Sequence, residues 1–293
     1  MKNKKKILIV GAKSYIGTSL ANWLIKHSDE YSVHICSSRN GAWKTEDFSM
    51  YDVVLNVAGI CHVDANPSME SLYYKVNRDL CEELAIKSKK SGVKQFIFLS
   101  SMIVFNNLTG EISKKTLPNP NNFYGKSKLQ ADNIIHSMQS DLFNVVSIRP
   151  PMVYGPKCNG NFQKLYNFSL WTPIFPNITN KRSMIYIDNL CEFIRIIINN
   201  RSSGIFYPQN KDYVNVSNTA QMISRLEGKK IYLTRIFNPL IKILLGKNNV
   251  INKIFGNYYY HQNMSLHDKY DYDLVNFKSS LTKLKKSSNG DEK

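Results

Sequence analysis

The chain has 293 residues, 43% hydrophobic and 12% aromatic, enough for one α/β domain or a large domain with a smaller lobe, and far from the disordered class. Its formal charge of +17 comes from lysines spread along the sequence among many asparagines, a compositional bias that argues against a nucleic-acid role. Five scattered cysteines without a CxxC pair and six histidines without ligand spacing predict reduced thiols, no metal and a cytoplasmic setting. No signal peptide or spanning segment is expected, because every apolar run is short or interrupted by charge or proline.

In chain order, Ile7 to Val10 read as a buried strand, and Gly11, Ser14 and Gly17 follow at even spacing before a helical pattern of Tyr15, Leu20, Trp23 and Leu24. Such a strand, tight turn and helix N-terminus present unpaired backbone N–H groups to a pyrophosphate. Ser32 to Ser37 read as a second strand and residues 51–59 as a third, so the second crossover is reduced to a loop or a single turn. Pro67 opens a helical pattern to about Lys90, "KQFIFLSS" is the fourth strand, a helix spans about Tyr124 to Met138, and "FNVVSIRP" is the fifth strand. Short, β-branched, nearly continuous apolar runs alternating with helices predict a Rossmann-type, doubly wound parallel sheet. Residues 1–150 form this expected dinucleotide-binding domain. Residues 151–293 supply mainly a smaller substrate lobe, with some segments returning to the sheet and a polar Lys/Ser tail from about Lys283.

The helix after the fourth strand begins "FYGKSK", which puts Tyr124 and Lys128 on one face. An ammonium beside a phenol would favour phenolate and lower the tyrosine pKa, making it a usable proton donor or acceptor. Ser100 and Ser101, at the carboxyl end of the fourth strand, offer a hydroxyl to the same substrate oxygen.

With these residues in place the chain resembles the extended short-chain dehydrogenase/reductase family, in its nucleotide-sugar branch. The landmarks run nearly the whole length in order: "GAKSYIG", "DVVLNVAG", "YKVN", "FIFLSSMIVF", "YGKSK", "RPPMVYGP" and "KRSMIYIDN". The resemblance implies that Tyr124 is the catalytic acid/base, Lys128 its electrostatic partner and a ribose ligand, and Ser101 the hydroxyl that orients the sugar oxygen. It places Gly11, Ser14, Tyr15, Ile16 and Gly17 around the pyrophosphate, and Ala58 and Gly59 against the adenosine side. Pro150 and Met152 follow the strand end where nicotinamide and sugar meet, and Arg182 matches a position that pairs with the nucleotide diphosphate. Ser14 departs from the usual glycine; its hydroxyl is expected to cap the helix or to meet phosphate. Asn77 resembles the family's structural asparagine, and an ordinary buried amide accounts for it equally well.

The second strand ends "HICSSRN", with no Asp or Glu for a ribose 2′-hydroxyl. Ser37, Ser38 and Arg39 instead suit a 2′-phosphate, so NADP(H) is favoured over NAD(H). Met102 and Ile103 stand where dehydratases of this fold carry an Asp-Glu pair, which disfavours dehydration. The expected reaction is therefore reduction of a UDP- or dTDP-linked 4-keto-6-deoxy sugar for surface-polysaccharide synthesis. A 4-epimerase is the alternative, and a non-catalytic dinucleotide-binding regulator a weaker one. A homodimer is usual in the family. Finally, "IYLTRIFNPLIKILLGK" reads either as a lobe helix packed on the core, the favoured option, or as a segment resting on an anionic membrane surface.

Overall fold

A computed structural model describes residues 4–61, 66–106, 110–267 and 269–290. Strand β1 (Lys5–Val10), helix α1 (Tyr15–Ile25), β2 (Tyr31–Cys36) and β3 (Val53–Asn56) come first. Helices α2 (Glu70–Tyr73) and α3 (Leu80–Lys90) follow, joined by a π-helical segment, Tyr74–Asp79, and then β4 (Gln95–Leu99). Next come β5 (Gly110–Ile112), α4 (Phe123–His136), β6 (Asn144–Ile148), β7 (Met152–Tyr154), α5 (Asn161–Trp171), β8 (Ile174–Pro176) and β9 (Met184–Tyr186). The rest is α6 (Ile187–Asn199), β10 (Gly204–Phe206), α7 (Val216–Leu226), β11 (Tyr232–Thr234), α8 (Asn238–Leu244), α9 (Asn249–Phe255), β12 (Tyr258–Tyr260) and α10 (Phe277–Gly290).

The chain divides into two compact units. The first takes Met1–Phe105, Leu117–Pro150 and Leu190–Pro208; the second takes Asn106–Thr116, Pro151–Asn189 and Gln209–Lys293. The first unit holds a six-stranded, all-parallel sheet in the order β10-β6-β4-β3-β1-β2. Alternate residues of its strands, Leu8, Val10, Val54, Phe96 and Phe98, pack in one core with Leu84 and Ala85 of α3 and Ala131 and Ile135 of α4. The intervening Ile7, Ile9, Leu55 and Ile97 are just as fully buried, so both faces of the sheet are dry and the apolar runs are continuous. The second crossover is cut to two short 3₁₀ turns, Arg39–Lys44 and Phe48–Met50, as the spacing requires. The chain then returns to the other side of β1, which puts the topological switch point between β1 and β3.

The sixth strand, β10, is absent from the sequence reading because three residues carry no period. The second unit has three small parallel pairs, β7 with β9, β8 with β11 and β5 with β12. The expected polar tail is instead part of helix α10: Leu281 and Leu284, three residues apart among the lysines, are both buried. Residues 291–293 of that stretch lie outside the described residues. Among the described residues no helix is long and apolar enough to cross a membrane.

Candidate functional site

The carboxyl ends of β1 and β3 meet at the switch point. Gly11 has φ +131°, and a Cβ there would come within 2.9 Å of Val57 Cγ2 and 3.0 Å of the Ala58 nitrogen. Gly17, one turn into α1, is pressed on the same Val57: its Cβ would lie 2.7 Å from Cγ2. Both glycines are thus set by close approach of backbone to the β3 end. Ser14 is the N-cap of α1 and accepts from Gly17 N at 3.3 Å, so of its two expected roles capping is the one seen. Tyr15 and Ile16 open the helix. Gly11 N donates to Cys36 O, which brings the β2 end alongside this turn. There the Ser37 hydroxyl accepts from Arg39 N at 3.1 Å, Ser38 is half-buried and the Arg39 side chain is exposed.

Beyond β3, Asn56 Oδ1 holds Ala58 N, and Gly59 lies beside both Lys128 and Asn77: its Cβ would stand 3.0 Å from Lys128 Nζ and from Asn77 Oδ1. Asn77 sits in the π-helical segment, where such bulges commonly redirect a side chain into a site. It clamps the backbone of Ile60 through both amide atoms and donates to Ser127 Oγ at 3.1 Å; Ser127 in turn donates to Tyr124 O. Asn77 is therefore a bracket between the loop after β3 and the first turn of α4.

Helix α4 carries Tyr124, capped by Asn122, whose side chain accepts from Gly125 N. Gly125 lets this turn lie against the 3₁₀ turn Met102–Val104, since a Cβ would come within 2.7 Å of Ile103 O. That contact brings the Ser101 hydroxyl close enough to the Tyr124 phenol to draw its pKa downward. Ser101 also accepts from Ile103 N at 3.2 Å. Met102 N donates to Pro150 O, tying the ends of β4 and β6.

The neighbouring Ser100 is committed elsewhere. It is buried and donates to Asp132 Oδ2 at 2.9 Å, and Arg149 Nε donates to the same oxygen at 2.9 Å. Neither Asp132 nor Arg149 was singled out in the sequence. The signal was present: Asp132 continues the Tyr124–Lys128 spacing by one more turn, and Arg149 is a charge directly after an apolar strand.

The electrostatics correct one expectation. Burial pushes the Tyr124 phenol well above the ordinary tyrosine range, the Cys61 thiol adds to this, and the Ser101 hydrogen bond pulls the other way. The lowered phenol pKa expected from Lys128 is not found. The Lys128 ammonium is turned onto Leu99 O at 2.9 Å and over the Phe98 ring at 4.5 Å. Its own pKa is lowered to about 8 by burial, against the opposing pull of Cys81 and Asp132. Sharing a helix face did not make the two head groups partners, because a flexible four-carbon stem reached a backbone carbonyl first.

In the second unit, Met152 starts the strand β7 and pairs in register with Met184 of β9. Arg182 is buried, donates to Gly256 O at 3.1 Å and to Asn252 O, and has its pKa lowered by burial. Among the described residues no ion pair joins it to a carboxylate.

Comparison with known proteins follows this geometry. The profile of the NAD dependent epimerase/dehydratase family matches residues 7–213. A UDP-glucose 4-epimerase of Vibrio cholerae is 31% identical, covering 87% of each chain. An N-acetyl-alpha-D-glucosaminyl-diphospho-ditrans,octacis-undecaprenol 4-epimerase of Escherichia coli O157:H7 is 26% identical over 86% of this chain and 82% of its own. Among solved structures, a dTDP-4-dehydrorhamnose reductase of Clostridium acetobutylicum superposes with a TM-score of 0.74 at 19% identity, over 97% of this chain and 99% of that one.

Proposed function

The chain belongs to the NAD-dependent epimerase/dehydratase family, and from that premise we propose that it is an NADPH-dependent reductase of a nucleotide-linked 4-keto-6-deoxy sugar. Its class is an NAD(P)-dependent nucleotide-sugar oxidoreductase or epimerase. The observation that carries the reductase reading is the β2 end, which lies beside the glycine turn and offers Ser37, Ser38 and the exposed Arg39 with no carboxylate, a set suited to NADPH. A reductase gives up hydride once and releases the oxidised dinucleotide, and the developing alkoxide needs an acid, the role proposed for Tyr124.

A dinucleotide fits the first unit. Gly11 and Gly17 let the β1 turn and the first turn of α1 close up on Val57 at the β3 end, and the N-terminus of α1 faces the same turn. Gly11, Ser14, Tyr15, Ile16 and Gly17 would hold the pyrophosphate, and Ala58, Gly59 and Pro150 would line the rest. Lys128 would hold the ribose. Ser37, Ser38 and Arg39, without a carboxylate among them, would take a 2′-phosphate. The bound dinucleotide would supply the hydride. Ser101 would orient the sugar oxygen, Tyr124 would protonate it, and Arg182, a buried cation whose guanidinium donates to two carbonyls, would meet the diphosphate. The product would feed surface-polysaccharide synthesis in the cytoplasm.

A second reading, 4-epimerisation with NAD retained, is favoured by the names of the Vibrio and Escherichia relatives. Incubation with NADPH and a panel of UDP- and dTDP-linked 4-keto sugars separates the two. Stoichiometric loss of NADPH absorbance supports the reductase. Interconversion of C4 epimers without net cofactor consumption supports the epimerase and ends the reductase reading. Replacing Tyr124 by Phe should lower turnover by about 10²–10⁴-fold with NADPH affinity kept, as measured by steady-state kinetics and fluorescence titration.

A further inference from the structure

The second unit has a core of Phe175, Ile178, Val216, Ala220, Ile231, Ile241 and Phe255. Five elements around it, α5, β8, β11, α8 and α9, are apolar on a second face as well. On that face Trp171 is 83% exposed, Tyr232 67%, Ile236 82%, Leu240 60%, Ile243 62% and Val250 62%. Single exposed apolar residues are ordinary, but these are brought together. Tyr232 stands in register with Ile174, itself half-exposed, three residues after Trp171. Asn238 Nδ2 donates to Asn177 O, and Asn177 N donates to Thr234 O, which fastens the start of α8 to the β8 end. Ile236, Leu240 and Ile243 follow at helical spacing, while Ile241 turns inward to the core. Gly246 N on Asn252 Oδ1 closes α9 against α8. The favoured expectation, a lobe helix packed on the core, therefore covers only one side of α8.

Charge selects the occupant. The segments forming this face, residues 161–176 and 229–255, contain seven Lys or Arg and no Asp or Glu. Arg235, Lys242 and Lys253 are exposed among the apolar tips. Long cationic side chains beside exposed Trp, Tyr, Ile and Leu suit an interface where the apolar tips enter acyl chains and the ammonium and guanidinium groups stay at phosphate level. A second copy would bring the same uncompensated positive charge to the contact, which disfavours self-association. We propose that this face of the second unit docks peripherally on an anionic membrane surface, with Trp171, Ile236, Leu240 and Ile243 as the inserted residues.

The test uses the full chain with vesicles of phosphatidylglycerol and phosphatidylcholine, read by sedimentation and by tryptophan emission. Binding is expected to anionic vesicles, to be absent with phosphatidylcholine alone, and to fall sharply at about 0.5 M salt. Trp43 is buried and Trp23 is half-buried on Glu192 in the first unit, so a blue shift on binding that disappears in Trp171→Phe reports the docked face. The combined variant Ile236→Ser, Leu240→Ser, Ile243→Ser keeps the full charge and alters only exposed side chains. It should lose at least tenfold in vesicle affinity while its thermal melt stays near that of the parent. Arg235→Glu with Lys242→Glu should lose binding by the electrostatic route. The proposal is overturned if the parent stays in the supernatant at low salt, or if the serine variant binds as well as the parent, since overall charge would then suffice. It is overturned equally if sedimentation velocity shows a dimer that the serine variant dissolves, which would give the face to a second copy.

Discussion

The two units solve one problem in different ways. In the first, backbone groups are satisfied by long parallel ladders: β1 pairs six residues with β2, and β4 pairs five with β6. In the second the strands are three residues long, and side-chain amides take over. Asn189 donates to Asn210, Asp273 and Val275 O and accepts from Val275 N. Asn210 accepts from Tyr186 N and donates to the Tyr154 hydroxyl, and Asn180 bonds Val216 N and the carbonyls of Ile254 and Gly256. The asparagines that read as compositional bias are, in this unit, a substitute for sheet. In the first unit the Ser100–Asp132–Arg149 cluster and the Asn77 bracket gather buried polar groups at the carboxyl end of the sheet, near Tyr124.

That contrast can be tested by removing one group at a time. Asp132→Ala removes the carboxylate paired with the buried Arg149 guanidinium in the sheet unit and should cost about 3–5 kcal/mol, measured by denaturant unfolding. Loss of only a few tenths would mean the pair is not closed in solution. Asn189→Ala in the second unit leaves several buried partners unsatisfied and should cost about 1–3 kcal/mol, with hydrogen exchange rising around Val275 and Asn210 before it rises in the sheet.

Lys128 gives the sheet unit a pH dependence. Its folded pKa, about 8, lies below the unfolded value of 10.5, so the unfolded chain binds more protons between those limits. Burial of the charged amine therefore opposes folding in full below pH 8, and the penalty fades as pH rises towards 10.5. Lys128→Met should melt at a higher temperature than the parent at pH 7, the gap narrowing by pH 10, and should bind NADPH more weakly. A gap independent of pH would show that the gain came from packing. The smallest effect expected is at the helix cap: Ser14→Ala should cost about 1 kcal/mol in the thermal melt, because Gly17 N loses its acceptor.

Much of the sheet unit was legible because its strands are apolar runs between turn residues, and α4 because Tyr124 and Lys128 share a face with Ala131 and Ile135. What was missed has a local explanation. Strand β10 is three residues long, and α10 hides Leu281 and Leu284 in a lysine-rich segment that reads as a tail. "LSS" offers two hydroxyls with equal claim, and nothing in their order says that Ser100 would be taken by an aspartate 32 residues away. Tyr124 and Lys128 were correctly set on one face, yet their pKa relation was not, because it depends on how much water reaches the phenol.

The sequence alone carries the parallel sheet, the glycine turn after β1, the shortened second crossover and the placing of Ser100, Ser101, Tyr124 and Lys128 around the end of the fourth strand. These follow from periodicity and spacing, which act within a few residues of each other. Tertiary packing alone commits Ser100 to Asp132, raises the Tyr124 phenol pKa by burial, turns Lys128 onto Leu99 O and leaves one side of α8 exposed. Each of these is a matter of burial or of competition for a partner, and both are set by atoms that the chain brings together from distant positions.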